Sequence, residues 1–268
     1  MALTPFMTTY GPWAIVCGAS EGLGAALATE LAQRGLNLVM VARRAEPLAE
    51  LADRLKVSFG IQTLPISMDL GHAHAASQLM TSTSHLEIGL LVYNAAYSPI
   101  QPFVDLAWEG HQQLIALNCN TLAECVWRMG NRLKERGSGG VLLIGSMAGF
   151  QGTPLLAHYA ATKAYGLTLV EGLYPEWKKL GLHIHCAVAG ATLTPGYYAS
   201  KPQKIWPPAP EQTPTAVAKE ALRQLGKAPV HITGLPNRLA AAFMRLLPRR
   251  AARLLMARTT MRIYAKEV

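Results

Sequence analysis

An α/β fold on a seven-stranded, doubly wound parallel sheet is the class this sequence predicts, and three observations predict it. Short apolar runs alternate with segments of helical periodicity along most of the 268 residues. The first apolar run leads through a glycine-rich turn straight into a helix. Half of the residues are hydrophobic and only 15% are charged, the balance of a chain whose strands are buried on both faces. Near-regular alternation favours a parallel sheet with right-handed crossovers, and a chain of this length can bury one good core.

The elements follow in order. Trp13-Ala-Ile-Val-Cys17 opens a buried strand at 13–18, and Gly18-Ala-Ser-Glu-Gly22-Leu-Gly24 turns it into a helix at 22–34. Strand, glycine turn and helix form the context in which such glycines bind phosphate. Gly18 permits the tight turn, Gly22 lets backbone approach a phosphate, and Gly24 lets helix and strand pack closely. The helix N-terminus adds amide donors and the positive end of a dipole. A strand at 37–42 precedes a helix at 45–58; strands at 61–67 and 88–94 flank a helix at 72–84. Helices at 104–118 and 120–136, a strand at 140–146 and a helix at 158–179 come next. A strand at 182–189, a helix at 212–225 and a strand at 228–232 complete the alternation.

Tyr159-Ala-Ala-Thr-Lys163 places a tyrosine and a lysine one helical turn apart on the same face. A positive charge held beside a phenol favours the phenolate, the property a tyrosine acid/base needs. Ser146, thirteen residues upstream at the end of a strand, can hydrogen-bond a substrate oxygen. Tyr-x-x-x-Lys alone is a weak signal, since many helices contain it by chance. The glycine turn and Ser146 are what give it weight.

Together these residues resemble the short-chain dehydrogenase/reductase family over residues 11 to about 234. The resemblance implies a Rossmann-type sheet with strand order 3-2-1-4-5-6-7. It assigns Asn118, Ser146, Tyr159 and Lys163 to the catalytic tetrad. It assigns Gly18, Ser20, Gly22, Leu23, Gly24, Asp69, Leu70 and Asn94 to the cofactor, with Tyr159, Lys163, Gly190, Thr192 and Thr194 at the nicotinamide. Asn94-Ala95-Ala96 matches the element that supports the central sheet. Cys17, Ala96 and Ala189 stand where threonine, glycine and proline are usual. In the implied reaction Tyr159 protonates the developing alkoxide while Ser146 polarises the carbonyl. Lys163 assists the tyrosine and holds the ribose, and Asn118 holds a relay water through its backbone. The family also implies a homo-oligomer, either dimer or tetramer.

The second strand ends in Arg43-Arg44, where an acidic residue would bind a ribose 2′-hydroxyl. Guanidinium groups match a phosphate, so the pair argues for NADP(H), unless the arginines merely cap a strand in solvent. Asp69-Leu70 contacts adenine by resemblance, and Asp69 can equally serve as a helix N-cap.

Met147, Phe150, Leu155, Leu156, Tyr197, Tyr198 and Trp206 are expected to line or cover an apolar pocket, with Pro207-Pro208-Ala209-Pro210 in a mobile lid. The reading is a hydrophobic ketone or secondary alcohol as substrate. The same side chains could instead pack on the body or on a partner subunit.

Residues 235–268 carry eight Arg or Lys against one Glu, so most of the formal net charge of +9 sits there. Leu239, Phe243, Leu246 and Leu247 share one side of a helix, with Arg238 and Arg245 roughly opposite. We divide the chain into a catalytic domain, 1–234, and a basic helical extension, 235–268. That extension either packs on the domain with its arginines outward or touches an anionic membrane surface.

No apolar run reaches the roughly 18–20 residues that span a bilayer, and the N-terminus lacks the regions of a signal peptide. With four unpaired cysteines, the expectation is a cytoplasmic protein. No module accompanies the charge to suggest nucleic-acid binding. His183 and His185 share a strand face without a third ligand at suitable spacing, so no metal site is expected. His158 adjoins Tyr159 at the pocket rim. The alternative to an enzyme is a non-catalytic NADP(H) sensor or scaffold that acts through the basic tail.

Overall fold

Seven apolar segments pair side by side in the computed structural model, which describes residues 4–206 and 208–264. They are β1 (Trp13–Cys17), β2 (Asn37–Ala42), β3 (Thr63–Ser67), β4 (Ile88–Tyr93), β5 (Gly140–Ser146), β6 (His183–Ala189) and β9 (Val230–Ile232). The order is β3-β2-β1-β4-β5-β6-β9 with every pair parallel, as the resemblance implied. Between β1 and β4 the winding reverses, and ligands of such sheets bind outside the strand ends at that point. A two-stranded ribbon, β7 (Ala191–Thr192) with β8 (Glu211–Gln212), lies beside the sheet.

Among the described residues eleven α-helices surround it: α1 (Pro5–Tyr10), α2 (Gly22–Gln33), α3 (Ala45–Phe59), α4 (Ala75–Ser82), α5 (Trp108–Ile115), α6 (Leu122–Arg136), α7 (Ala157–Lys179), α8 (Pro195–Ala199), α9 (Pro214–Gln224), α10 (Leu235–Leu246) and α11 (Arg249–Tyr264). Side chains alternate across each strand, and β1 divides accordingly. Ala14 and Val16 pack with Leu27 and Leu31 of α2, Leu48 of α3 and Val217 of α9. Ile15 and Cys17 pack with Leu79 of α4, Met129 of α6 and Val170 of α7. Burying each such leucine or valine contributes about 1.5–3 kcal/mol, so both layers hold the strand ends in place.

The structure changes several expected boundaries. The helices expected at 104–118 and 120–136 are shorter and are joined by a π-type turn, Ala116–Thr121. Residue 74 adopts φ 66°, so α4 starts at Ala75 and not at 72. Glu211 and Gln212 belong to the ribbon, which delays α9 to Pro214. The third and seventh strands begin two residues late, at Thr63 and Val230. Helices α1 and α8 escaped notice although both carry a Thr-Pro start: Thr4 accepts from the Met7 amide, and Thr194 from the Tyr197 amide.

The tail departs from the orientation expected of a packed extension: Arg238 is engaged by the body and the apolar stripe is not. Arg238 donates to Glu220 of α9 at 2.6 Å, and the Arg245 guanidinium lies 5.7 Å from the Phe150 ring centroid. Leu235, Leu239, Phe243 and Leu246 are instead exposed. Burial works against ionised Glu220, yet hydrogen bonds from His231, the Gly234 amide and Arg238 hold its carboxyl below the usual value.

His185 is fully buried on β6, and its Nδ1 meets the Ala228 carbonyl at 2.6 Å while Nε2 has no partner. Burial pushes its pKa down to about 4. The unfolded chain, with histidine near ~6.5, takes up this proton first as pH falls. Stability is therefore full above ~6.5 and declines toward pH ~4, by about 2 kcal/mol at pH 5 from this group. The expected result is a melting temperature that drops between pH 7 and 5, with a shallower drop in His185→Leu. Identical slopes in the two proteins would exclude this source.

Candidate active site

The carboxyl ends of β1, β4, β5 and β6 open on one cleft of about 680 Å³. Its first end is built by the turn after β1. Gly22 has φ 55°, and a Cβ there would stand 3.0 Å from the Thr194 side chain across the cleft. At Gly24 a Cβ would fall 1.8 Å from the Gly18 carbonyl oxygen, so only glycine lets α2 start so close to the strand. Asn94 Nδ2 donates to that same Gly18 oxygen at 3.0 Å, which ties the turn to the end of β4. Ser20 and Leu23 line the cleft here, whereas Gly24 lies behind it.

Arg43, Arg44, Asp69 and Leu70 also border this end. Arg44 pairs with Glu21 at 2.6 Å, and both side chains are about half exposed, so the pair adds little stability. Arg43 is exposed, with no ion pair among the described residues. Asp69 Oδ1 accepts from the Gly71 amide at 2.8 Å. The N-cap of α4 is His74, so the helix-capping alternative for Asp69 is not adopted.

Ser146, Tyr159, Lys163, Gly190 and Thr192 gather toward the other end, and Thr194 reaches back to the glycine turn. Ser146 closes β5, and its Oγ accepts from the Ala148 amide at 3.2 Å, which leaves its proton free to donate. Tyr159 and Lys163 stand in the first two turns of α7. Lys163 Nζ lies 5.7 Å from the Tyr159 ring centroid and donates to the Ile144 carbonyl at 2.8 Å. A Cβ on Gly190 would lie 2.5 Å from the side-chain amide of buried Asn237 in α10. The extension thus supports the loop after β6.

Asn118 is not in the cleft wall but buried beneath it, in the π-type turn. Its amide hydrogens go to the Tyr97 carbonyl at 2.9 Å and Thr162 Oγ1 at 3.0 Å, and its Oδ1 accepts from the Tyr97 amide at 2.9 Å. The side chain is fully engaged, so only its backbone is left for a solvent contact. A void of about 10 Å³ borders Asn118, Thr162 and Lys163, close to the size of a single water.

Of the expected pocket residues, Leu155 and Leu156 flank a small cavity with Phe103, His158 and Tyr159. Met147 and Phe150 pack against the core. Tyr197 donates to Glu211 at 2.7 Å, and burial with that carboxylate raises its pKa. Tyr198 and Trp206 are 60% and 81% exposed, so the expectation that they cover the pocket is corrected; Pro207 lies outside the described residues. His158 turns its Nδ1 to His111 Nδ1 at 2.8 Å, and burial together with His111 lowers its pKa. His183 and His185 have separate partners, Tyr10 and the Ala228 carbonyl.

Residues 12–204 match the family model described as short chain dehydrogenase. The chain belongs to that family. It is 34% identical over 233 residues to a 7beta-hydroxysteroid dehydrogenase of Clostridium sardiniense, covering 87% of this chain and 89% of the relative. The solved structure from a study of 7beta-hydroxysteroid dehydrogenase stereoselectivity superposes with TM-score 0.87 at 27% identity, over 94% of this chain and 99% of that one. A short-chain dehydrogenase from Sphingobium yanoikuyae in complex with NADPH gives TM-score 0.77 at 28% identity, over 92% and 95% of the two chains.

Within the dehydrogenase, sequence reasoning missed Tyr97, Thr162 and Asn237. Each acts through a hydrogen bond or close approach to a residue at least 21 positions away along the chain, besides the Asn237 bond to Thr233 four residues back and the Thr162 bond to Tyr159 three residues back. Thr162 sits inside the Tyr159–Lys163 segment, and that adjacency was the available signal. No described helix is long and apolar enough to cross a membrane.

Proposed function

We propose that this dehydrogenase interconverts a bulky hydrophobic ketone and its secondary alcohol with NADP(H). The observation that carries this reading is one cleft with two chemical ends. A glycine turn and an arginine pair stand at one, and Ser146, Tyr159 and Lys163 converge at the other.

The residues fit the nucleotide. Gly22 leaves open the space its Cβ would fill, and the α2 N-terminus faces the same cleft. In this reading Gly18, Ser20, Gly22 and Leu23 hold the pyrophosphate, Asp69 and Leu70 the adenine, and Arg43 with Arg44 the 2′-phosphate. Lys163, Thr192 and Thr194 hold the nicotinamide end. A bound nicotinamide supplies the hydride.

Tyr159 donates its phenolic proton to the carbonyl oxygen as negative charge develops there. Ser146, with its proton free, hydrogen-bonds the same oxygen and orients it. Lys163 stabilises the charge left on the phenol oxygen. The Asn118 backbone and the void beside Lys163 accommodate the water that restores the proton. Residues 1–234 act as the catalytic domain and 235–268 as its extension. We place the substrate among steroid-sized ketones, in line with the hydroxysteroid dehydrogenases it resembles.

The same reading includes a homo-oligomer, with exposed Trp108, Ile115, Trp127 and Tyr165 of α5, α6 and α7 as the contact face. The exposed apolar side of α10 beside Arg249 and Arg250 is its surface for peripheral membrane contact. The sensor or scaffold alternative has less support, since Arg238 is engaged by Glu220 of the body.

The test is NADPH consumption with steroid-sized ketones, comparing wild type with Arg43→Ala. Arg44 is occupied by Glu21, so Arg43 carries more of the 2′-phosphate contact. The variant is expected to raise KM for NADPH about tenfold, the worth of one charge-assisted hydrogen bond, and to leave NADH unchanged. An equal loss with both cofactors would remove Arg43 from that role.

A further inference from the structure

Helix α10 buries two residues, Asn237 and Ala241. Asn237 stands in the first turn, where an apolar side chain of its size would meet the body without a polar group to satisfy. Its amide nitrogen donates to the Thr233 carbonyl at 3.0 Å and to Gln212 Oε1 at 2.9 Å. Thr233 is tied in turn to the sheet, its amide donating to the Val188 carbonyl of β6 at 3.0 Å. The Thr233 hydroxyl donates to Gln212 Oε1 at 2.8 Å. With its amide seated the other way round, Gln212 donates to that hydroxyl and to the Thr233 carbonyl, so it stays at the foot of α10 in both arrangements.

This knot lies directly behind the cleft. Gly190, which lines the cleft where β6 ends, packs on the Asn237 side chain so closely that any Cβ would collide with it. The added carbon would stand 2.5 Å from Nδ2, 2.7 Å from Oδ1 and 2.8 Å from Cγ. Those three atoms form one planar group, fixed by its bond to Thr233. Gln212 pairs with Thr192 across the ribbon, and its carbonyl accepts from the Leu193 amide at 2.9 Å. The knot therefore meets the segment from Gly190 to Thr194 at its base through Gly190 and at its middle through Gln212.

We propose that Asn237 is a positioning residue for the nicotinamide half of the cofactor. By standing against Gly190 it sets the distance of that backbone from the sheet, and with it where Thr192 and Thr194 face the cleft. This rests on the reading above, in which Thr192 and Thr194 hold the nicotinamide end. The adenine end, bordered by Arg43, Arg44, Asp69 and Leu70, has no contact with this knot and keeps its own geometry without it.

The experiment measures Kd for NADPH by fluorescence titration and for adenosine 2′,5′-bisphosphate, which carries the adenine and 2′-phosphate alone, by calorimetry. Wild type, Asn237→Ala, Gly190→Ala and the double variant are compared, with melting curves to show that each is folded. Asn237→Ala is expected to weaken NADPH about tenfold, the worth of one well-placed hydrogen bond, and to leave the bisphosphate unchanged. Gly190→Ala should do the same by pushing on the Asn237 amide. In the double variant the new methyl enters the space that Asn237 vacates, so the two effects should fall well short of adding. Equal losses of both ligands in Asn237→Ala would mean a general loss of structure and overturn the assignment. Unchanged NADPH affinity in Asn237→Ala, or in Gly190→Ala should the first variant fail to fold, would overturn it as well. Wild type that binds NADPH no more tightly than the bisphosphate would overturn the reading of the nicotinamide end, and this inference with it.

Discussion

Tyr159→Phe is expected to lower kcat by roughly two to four orders of magnitude, the usual worth of a positioned proton donor. The variant loses one oxygen and keeps the ring against which Lys163 lies at 5.7 Å. The cleft should therefore bind NADPH as before, and the loss should fall on kcat more than on KM. Stopped-flow reduction of a steroid-sized ketone, with NADPH binding measured in parallel by fluorescence, separates the two quantities. Wild-type turnover in Tyr159→Phe would refute the proposed acid/base role. Loss of NADPH binding would mean instead that the hydroxyl holds the cofactor site together.

Gly24→Ala should cost the fold more than a methyl added at any other glycine of the chain. The added carbon would fall 1.8 Å from the Gly18 carbonyl oxygen and 2.7 Å from its carbon, and both are backbone atoms. Relief requires that α2 move away from β1, which disturbs the packing of Leu27 and Leu31 and the bond from Asn94 to Gly18. A loss of about 3 kcal/mol or more is expected, at the upper end of overpacking effects, together with weakened NADPH binding. Gly172→Ala is the control. It lies within α7 with nothing inside 4 Å of the new carbon, and should be neutral or stabilising by about 0.5–1 kcal/mol. Urea denaturation of both variants decides the matter; equal midpoints would contradict the steric argument.

Much of this was legible along the chain because local chemistry repeats locally. The strand, turn and helix around Gly18–Gly24 are contiguous, and Tyr159 and Lys163 share a helix face. Their meeting at one cleft follows from the parallel order of the sheet. The role of the extension was not legible. Its apolar stripe, Leu239, Phe243 and Leu246, reads either as a face packed on the domain or as one turned to a membrane surface; the stripe stays outside while Arg238 pairs with Glu220 and Arg245 lies over the Phe150 ring. Both partners lie elsewhere in the sequence, so periodicity within the helix could not reveal them. The π-type turn at Ala116–Thr121 was hidden for a similar reason. Asn118 is held there by Tyr97 and Thr162, from two other segments. Thr194-Pro195 was readable as a helix start and was missed because the lid was expected to be irregular.

All four cysteines are unpaired and buried, and this has a consequence for the protein under oxidative stress. Burial pushes the thiols of Cys125 and Cys186 up to about 12 and raises that of Cys17 well above its ordinary value. Cys119 is raised as well, against the pull of nearby Lys163. The thiolate is the form that peroxides and alkylating reagents attack, and here it is scarce and enclosed. Thiol poisons therefore find little purchase on the folded molecule. The redox chemistry left to the molecule is then the hydride exchange proposed for the cleft.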